Sequence, residues 1–160
     1  MTSVNIETNH GNISFNLLPE LAPETVRSFV KLASDGFYDG TLFHRVIPGF
    51  MIQGGDPNTK NPNMKSEWGR GGPGYNLKGE TSSRSHLRGI VSMANSGHPD
   101  TAGSQFFIMH DTATHLDHEY TVFGEVTEGM DTVDKIAALP RDGECPSGEG
   151  AKVIKVSISE

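Results

Sequence analysis

Residues 43–57, with the sequence FHRVIPGFMIQGGDP, bring a cation, apolar side chains and an amide together in a short β-rich stretch. A Pro-Gly dipeptide divides the stretch into two strands. Met51 and Gln53 point to the same face of the second strand, because side chains alternate with a period of two. If the turn folds the strands together, Arg45 stands over that face. The pattern predicts a guanidinium above an apolar surface without a nucleophile, although ordinary packing with a solvated arginine explains each residue equally well.

Charge and hydropathy limit the classes of partner. The chain has 160 residues, 34% hydrophobic content, a formal net charge of -7 and a pI near 5.4. A negative net charge disfavours binding to nucleic acid or to anionic membranes. No apolar stretch reaches the length of a membrane span. We therefore expect peptides or small molecules as partners.

The start of the chain and its cysteine content favour a cytoplasmic protein. The first residues, MTSVNIETNHG, have neither the basic start nor the apolar segment of an export signal. Cys145 is the only cysteine, so an intrachain disulfide is impossible. No linker, repeat or low-complexity tract divides the sequence. We expect one domain over residues 1–160, and a monomer.

The hydrophobic pattern predicts many short strands and two helices. Helical spacing of apolar residues predicts helices at 22–36, with Pro23 in the first turn, and at 129–139. This composition favours a closed or nearly closed antiparallel barrel, which leaves few exposed sheet edges. The passage from Gly54 to Arg88 has weak periodicity, and we expect it to be functional or clamped to the surface. Strands are predicted around residues 4–8, 13–17, 42–47, 50–53, 89–95, 105–110, 120–126 and 152–159.

Two motif matches fail on their context. The segment GRGGPG at residues 69–74 fits a dinucleotide-binding pattern, but no strand precedes it and no helix is predicted after it. Neither Ser96 nor Ser104 lies in the G-x-S-x-G turn of a serine hydrolase. We therefore expect neither a nucleotide cofactor nor a serine nucleophile.

A group of histidines in the second half of the chain resembles a set of metal ligands. His110, His115 and His118 lie near Asp111 and Asp117. Their spacing matches no closed zinc pattern, and the only cysteine is far away in the sequence. We interpret them as solvated loop residues, and we expect no metal.

Four segments of the sequence resemble one known family. FHRVIPGFMIQGGD, GIVSMANSG, GSQFFI and YTVFGEVTEGMD are similar to motifs of the cyclophilins, the peptidyl-prolyl cis-trans isomerases. The resemblance extends over nearly the whole chain, in the family's order and approximate spacing. It implies a mainly β fold, an eight-stranded antiparallel closed barrel capped by two α-helices, with a proline-binding groove on its outer surface.

The resemblance also implies roles for individual residues. Arg45 takes the position of the catalytic arginine. The residues that line the proline pocket are implied to be Phe50, Met51, Phe107 and Leu116. Those that bind the peptide backbone or flank the neighbouring subsite are implied to be Gln53, Ala94, Asn95 and Gln105.

The sequence departs from the family pattern at two positions of the groove. His115 occupies a place where many cyclophilins have tryptophan, and Tyr120 stands where many have histidine. Tyrosine keeps a ring with a polar tip, so the pocket should persist. Histidine is smaller and more polar than an indole, so it removes apolar contact area and the indole N–H that cyclosporin uses in this family. We therefore expect retained turnover and weakened cyclosporin affinity.

Isomerisation suits a site with a fixed cation and no nucleophile. Rotation about an X-Pro bond breaks no covalent bond but must overcome the loss of amide resonance, a barrier of about 18–20 kcal/mol. A guanidinium that favours the twisted amide over the planar amide would accelerate the rotation. We expect an isomerase without a cofactor that acts on proline-containing peptides and on unfolded or folding proteins. A proline-docking adaptor with incidental turnover is the alternative.

Overall fold

The computed structural model describes residues 2–160, which form one eight-stranded sheet, a small two-stranded hairpin and two α-helices. The helices are α1 (Pro23–Ser34) and α2 (Met130–Ala137). The strands are β1 (Ser3–Thr8), β2 (Gly11–Leu17), β3 (Arg45–Ile47), β4 (Met51–Gly54), β5 (Ile90–Met93), β6 (Phe106–Met109), β7 (Val122–Glu128), β8 (Arg141–Asp142), β9 (Cys145–Pro146) and β10 (Val153–Ser159).

The main sheet is antiparallel throughout and curls towards closure. Its strand order is β10-β1-β2-β7-β5-β6-β4-β3. The two edges meet just before β3 and β10, where Leu42 and Lys152 form an antiparallel bridge. The Phe43 N–H donates to the Ala151 carbonyl at 2.9 Å beside this bridge. The predicted mainly β, eight-stranded fold with two helices is confirmed, and a short bridge instead of a full ladder between β3 and β10 joins its edges.

Strands β4, β5 and β6 are buried on both faces, and this positions the site. On β4, Ile52 joins the core inside the curled sheet, whereas Met51 joins a second apolar cluster on the outer face. On β6, Ile108 lies in the inner core and Phe107 in the outer cluster. The alternation follows from the period of two along a strand. The outer cluster contains Met51, Ile90, Phe107, Met109, Leu116 and Val122.

Helix α1 packs its apolar face into the inner core and is capped by a residue of the long passage after β4. The ring of Phe29 is stacked on Tyr38 with centroids 5.0 Å apart. Ala22 offers no side-chain cap at the N-terminus of α1. The Glu80 carboxylate instead accepts hydrogen bonds from the Thr25 N–H at 2.8 Å and the Thr25 hydroxyl at 2.7 Å. An acid at a helix N-terminus satisfies free N–H groups and complements the helix dipole.

The passage between β4 and β5 is also held at its beginning. It contains two 3₁₀ segments, Pro57–Lys60 and Pro62–Glu67. The fully buried Asp56 carboxylate accepts from the Asn58 N–H at 2.8 Å and from the Gly69 N–H. As expected, the passage is held to the surface of the domain. The hydrogen bonds of Asp56 form this clamp, which positions the glycine-rich part of the passage beside β6.

The length and the apolar character of the two helices decide whether either could span a membrane. Within residues 2–160, neither α1 nor α2 has the length and apolar character that would let it cross a bilayer.

Candidate active site

A cavity of about 100 Å³ opens on the outer face of β4 and β6. Nine of the eleven side chains predicted for the site form its walls. The exceptions are Gln105, which lines a neighbouring cavity, and His115, which lies behind one wall. The nine are Arg45, Phe50, Met51, Gln53, Ala94, Asn95, Phe107, Leu116 and Tyr120.

The floor of this cavity is apolar and rigidly packed. Met51, Phe107 and Leu116 are 2%, 4% and 7% exposed, so each is held by the outer cluster. The Tyr120 ring meets Phe107 edge-on, with centroids 5.4 Å apart and an interplanar angle of 90°. Edge-to-face contact is a favoured arrangement of aromatic rings. The floor therefore offers a preformed niche for a small apolar ring.

Arg45 stands over this floor because β3 and β4 pair across the Pro-Gly turn. Arg45 is the direct cross-strand partner of Gln53. Its Nη1 donates to Gln53 Oε1 at 3.4 Å, and Gln53 Nε2 donates to Gln105 Oε1 at 3.0 Å. Gln105 Nε2 in turn donates to the Gly71 carbonyl at 3.0 Å. The amides thus form a chain that links the guanidinium to the glycine-rich segment.

The residues after β5 present a main-chain edge to the cavity. The Ala94 N–H donates to the Gln105 carbonyl at 3.0 Å. The Asn95 side chain is held by its own bonds, with Nδ2 donating to the Glu119 carbonyl at 3.1 Å and Oδ1 accepting from the Gly97 N–H at 3.0 Å. Within residues 2–160, neither the backbone N–H nor the carbonyl of Asn95 has a protein partner. Both groups are available to pair with an extended peptide.

A second cavity of about 560 Å³ adjoins the first and shares Gln53, Ala94 and Asn95 as walls. The glycine-rich segment 69–76 forms its far side, and Gln105 lies in its floor. The segment GRGGPG lies here, and no helix follows it, in agreement with the rejection of a dinucleotide motif. The two cavities make one groove with a small apolar end and a wider polar end.

His115 supports the groove from outside the small cavity. It lies in the 3₁₀ turn Thr114–Leu116. Its imidazole stacks on Phe50, with centroids 5.8 Å apart and an interplanar angle of 30°. The side chain predicted as a substrate-binding residue of the groove therefore contacts the wall of the small cavity and does not line it.

Behind Phe107 lies a buried polar network that was not predicted from the sequence. His86 stacks on Phe107, with centroids 6.0 Å apart, and its Nδ1 lies 3.0 Å from Asp117 Oδ1. Its Nε2 lies 3.0 Å from Ser92 Oγ. Burial lowers the pKa of His86, against the opposing effect of Asp117. Because carboxylates only accept hydrogen bonds, His86 donates to Asp117 through Nδ1, while the single Ser92 hydroxyl proton points to the Thr121 carbonyl, 2.9 Å from Oγ.

Asp117, His86 and Ser92 are linked in the acid, histidine, serine order of a serine hydrolase. A substrate, however, cannot reach the serine. The Ser92 and His86 side chains are both fully buried. A nucleophile must reach its substrate, so Ser92 is a structural hydroxyl here. Hydrogen bonds, first from the Ser85 hydroxyl and then from the His86 N–H, hold the pKa of Asp117 below its usual range. The carboxylate proposed as a candidate metal ligand therefore serves this network.

His110, another histidine of the group that resembles a set of metal ligands, has hydrogen-bond partners of its own. His110 Nδ1 accepts from the Gly49 N–H at 2.8 Å, and its Nε2 lies 3.1 Å from Asp134 Oδ1. Among residues 2–160, no three histidine, cysteine, aspartate or glutamate side chains converge as metal ligands.

The single cysteine lies in the small hairpin. Burial raises the pKa of the Cys145 thiol, which disfavours the reactive thiolate.

One further contact to Arg45 comes from the small hairpin. Arg45 Nε donates to Glu144 Oε1 at 3.0 Å. The two residues are 99 positions apart. The residues around Arg45 in the sequence therefore gave no sign of this contact.

Comparison with known proteins identifies a family with this fold and groove. The family model for cyclophilin type peptidyl-prolyl cis-trans isomerase/CLD matches residues 3–158. The chain is 52% identical over 121 residues to peptidyl-prolyl cis-trans isomerase B of Bacillus subtilis (strain 168), covering 74% of this chain and 78% of that protein. It is 46% identical over 144 residues to a peptidyl-prolyl cis-trans isomerase of Synechococcus elongatus, covering 90% and 92%.

A solved structure gives the same result at the level of the fold. The crystal structure of a cyclophilin type peptidyl-prolyl cis-trans isomerase of Cryptosporidium parvum in the presence of the dipeptide Ala-Pro has a TM-score of 0.88 to this chain. The two sequences are 33% identical, and the match covers 99% of both chains.

Proposed function

Because this chain belongs to the cyclophilin type peptidyl-prolyl cis-trans isomerase family, we propose that it accelerates rotation about X-Pro bonds with Arg45 as the catalytic residue. One observation carries the proposal. The Arg45 guanidinium shares a small cavity with the buried, apolar side chains of Met51, Phe107 and Leu116. This arrangement supports a proline-sized apolar site with a cation at its wall.

The chemistry requires the site to favour a twisted amide. In the transition state the prolyl nitrogen loses its resonance with the carbonyl and regains a lone pair. A guanidinium N–H that donates to this lone pair, or to the moving carbonyl oxygen, stabilises the twisted state more than the planar one. A barrier lowered by about 7 kcal/mol corresponds to roughly 10⁵-fold acceleration.

The rest of the groove holds the peptide so that only one side of the bond rotates. The apolar floor fixes the proline ring. The free N–H and carbonyl of Asn95 pair with the peptide main chain, and Gln53 holds the backbone beside Arg45. The residue that precedes the proline lies in the wider cavity, next to Ala94 and Gln105. The Ala-Pro dipeptide present with the Cryptosporidium parvum relative supports a proline-sized site of this kind.

The decisive experiment compares the wild type with Arg45→Ala by exchange NMR on an X-Pro peptide. We expect the exchange rate to fall about 10²–10³-fold, as for the loss of one preorganised donor. Peptide affinity, measured by titration, should change much less, because the cavity floor is intact. Arg27→Ala is the matched control, since Arg27 lies on α1 in an exposed ion pair with Glu24. Equal turnover in the wild type and Arg45→Ala would disprove the assignment.

Partners, assembly and location are part of the same proposal. Unfolded and folding proteins are the macromolecular substrates, and neither nucleic acid, membrane nor a cofactor takes part. Shortening of a proline-limited refolding phase tests the first point. We also propose a monomeric, single-domain and cytoplasmic protein, for which light scattering and cell fractionation are the measurements. We further propose that cyclosporin binds with weakened affinity, because His115 stands where many cyclophilins have tryptophan.

A further inference from the structure

The hairpin of β8 and β9 docks on edge strand β3 through its backbone. Two residues, Gly143 and Glu144, connect its strands, and Gly143 has a φ of +66°, which favours glycine. The Val46 N–H donates to the Glu144 carbonyl at 2.7 Å. Arg141 Nη1 lies 3.4 Å from the Val46 carbonyl and 3.2 Å from the Gly143 carbonyl, and donates to both. The position of Glu144 next to β3 therefore does not depend on its side chain.

The Glu144 side chain reaches the guanidinium from the side away from the amide chain. Arg45 Nε donates to Glu144 Oε1 at 3.0 Å, while Arg45 Nη1 donates to Gln53 Oε1 at 3.4 Å. A guanidinium has five N–H donors in one plane. Two contacts in that plane fix its orientation and leave three donors for a peptide.

We propose that Glu144 is a positioning residue that orients the Arg45 guanidinium for the isomerisation. The inference rests on the proposed function, because it assumes that Arg45 acts on the peptide. A long arginine side chain samples many rotamers, and an anchored fork loses less freedom when it engages the transition state. The Arg45 and Glu144 side chains are 43% and 53% exposed, so solvent and salt weaken the pair. Because exposed pairs contribute little free energy, we expect an effect on rate of at most about fivefold.

The hairpin supplies a matched control for charge. Asp142 lies on the same hairpin and lines the same cavity of about 460 Å³ beside Arg45 and Glu144. Within residues 2–160, its carboxylate forms no ion pair. Removal of Asp142 changes the local charge as much as removal of Glu144 but leaves the guanidinium anchored.

The experiment measures kcat and KM on an X-Pro peptide for Glu144→Ala, Glu144→Gln and Asp142→Ala in the full chain. We expect Glu144→Ala to lower kcat about 3–5-fold with KM nearly unchanged, and Asp142→Ala to match the wild type. Glu144→Gln keeps an acceptor oxygen without the charge and should lie between them. The Nε–Hε NMR signal of Arg45 should broaden or shift in Glu144→Ala and stay in place in Asp142→Ala. In an Arg45→Ala background, Glu144→Ala should have no additional effect.

The outcomes separate this inference from the function on which it rests. If Arg45→Ala is impaired but Glu144→Ala is as fast as or faster than the wild type, Glu144 does not position the guanidinium and the proposed function stands. Equal losses in Glu144→Ala and Asp142→Ala would mean that charge alone matters, which also overturns the inference. A full loss from Glu144→Ala in the Arg45→Ala background would show that the effect does not pass through Arg45. Full activity of Arg45→Ala would refute the catalytic role of Arg45 and this inference with it, whereas absence of turnover in the wild type would refute the proposed function itself.

Discussion

The imidazole of His115 stacks on the ring of Phe50, with centroids 5.8 Å apart and an interplanar angle of 30°. Phe50 is a wall of the small cavity, and His115 is not. The histidine therefore supports a wall of the small cavity without lining it. This arrangement explains how an imidazole can stand where many cyclophilins have tryptophan while the small cavity keeps its floor.

The first prediction concerns the variant His115→Trp. An indole adds apolar contact area at the rim and an N–H donor, so cyclosporin should bind about tenfold more tightly, or about 1.4 kcal/mol. Turnover of a short X-Pro peptide should stay within about threefold of the wild type, since the cavity floor is unchanged. Isothermal titration and the exchange assay measure the two effects. His115→Phe, which has a larger apolar ring without an N–H donor, separates the effect of contact area from that of hydrogen bonding. Unchanged cyclosporin affinity in His115→Trp would contradict the prediction.

Arg45→Lys tests whether a positive charge is sufficient. Lysine keeps the charge, but its compact ammonium cannot hold planar contacts with Glu144 and Gln53 and still donate to a peptide. We expect kcat to fall about 10²-fold with a small change in KM. The unfolding midpoint in urea checks that the variant is folded. Wild-type turnover in Arg45→Lys would show that the fork geometry is not required.

The glycine-rich side of the groove offers a paired test. A Cβ on Gly71 would overlap the Asp56 carboxylate, whereas a Cβ on Gly72 would meet nothing within 4 Å. Neither glycine has a positive φ, so backbone strain does not distinguish them. Gly71→Ala should destabilise the chain by about 1–3 kcal/mol and alter the preference for the residue before proline, while Gly72→Ala should resemble the wild type. Urea unfolding and a series of Xaa-Pro peptides measure both effects, and equal behaviour of the two variants would argue against a clamp by Asp56.

The buried histidine behind the cavity predicts a pH dependence of stability. Burial lowers the pKa of His86, so the unfolded chain binds a proton more readily than the folded chain. The stabilisation of the folded state by neutral His86 is complete above the unfolded pKa of about 6.5. It is lost as the pH falls towards the pKa of the folded state. His44, whose pKa is also lowered mainly by burial, acts in the same direction. The free energy of unfolding should therefore decrease by up to about 1.4 kcal/mol per pH unit for each proton taken up.

Urea unfolding between pH 7.5 and 5.5 measures this slope. His86→Gln should show a smaller slope than the wild type. His98→Gln, which makes the same substitution at a histidine whose side chain is 67% exposed, is the matched control. An unchanged slope in His86→Gln would assign the pH dependence to other groups.

The local features of the site were predictable from the sequence because they depend on neighbours along the chain. The Pro-Gly turn and the strand period predicted that Arg45 stands over the face that carries Met51 and Gln53, and in the structure Arg45 is the cross-strand partner of Gln53. The apolar run of β6 was harder to interpret, since both of its faces are buried and it shows no alternation of polarity. The side of the sheet that Phe107 faces came only from the family resemblance.

The features of the site that could not be predicted from the sequence are contacts between distant segments. The carboxylate of Glu144 approaches Arg45 only because a short hairpin docks on an edge strand, and two-residue strands leave no periodic pattern. His86 looked like any loop histidine, although the fold buries it between Asp117 and Ser92. Pairings of this type depend on the complete topology, and a single sequence does not encode them as a local signal.

The docking of the small hairpin on β3 has a consequence for how molecules of this protein meet one another. A strand at the end of a sheet carries unpaired amides that can recruit a strand from a second molecule and begin aggregation. On β3 the outward-facing N–H of Val46 is engaged by the Glu144 carbonyl and its carbonyl by Arg141. The hairpin that brings a carboxylate to the guanidinium therefore also protects this edge from intermolecular strand addition.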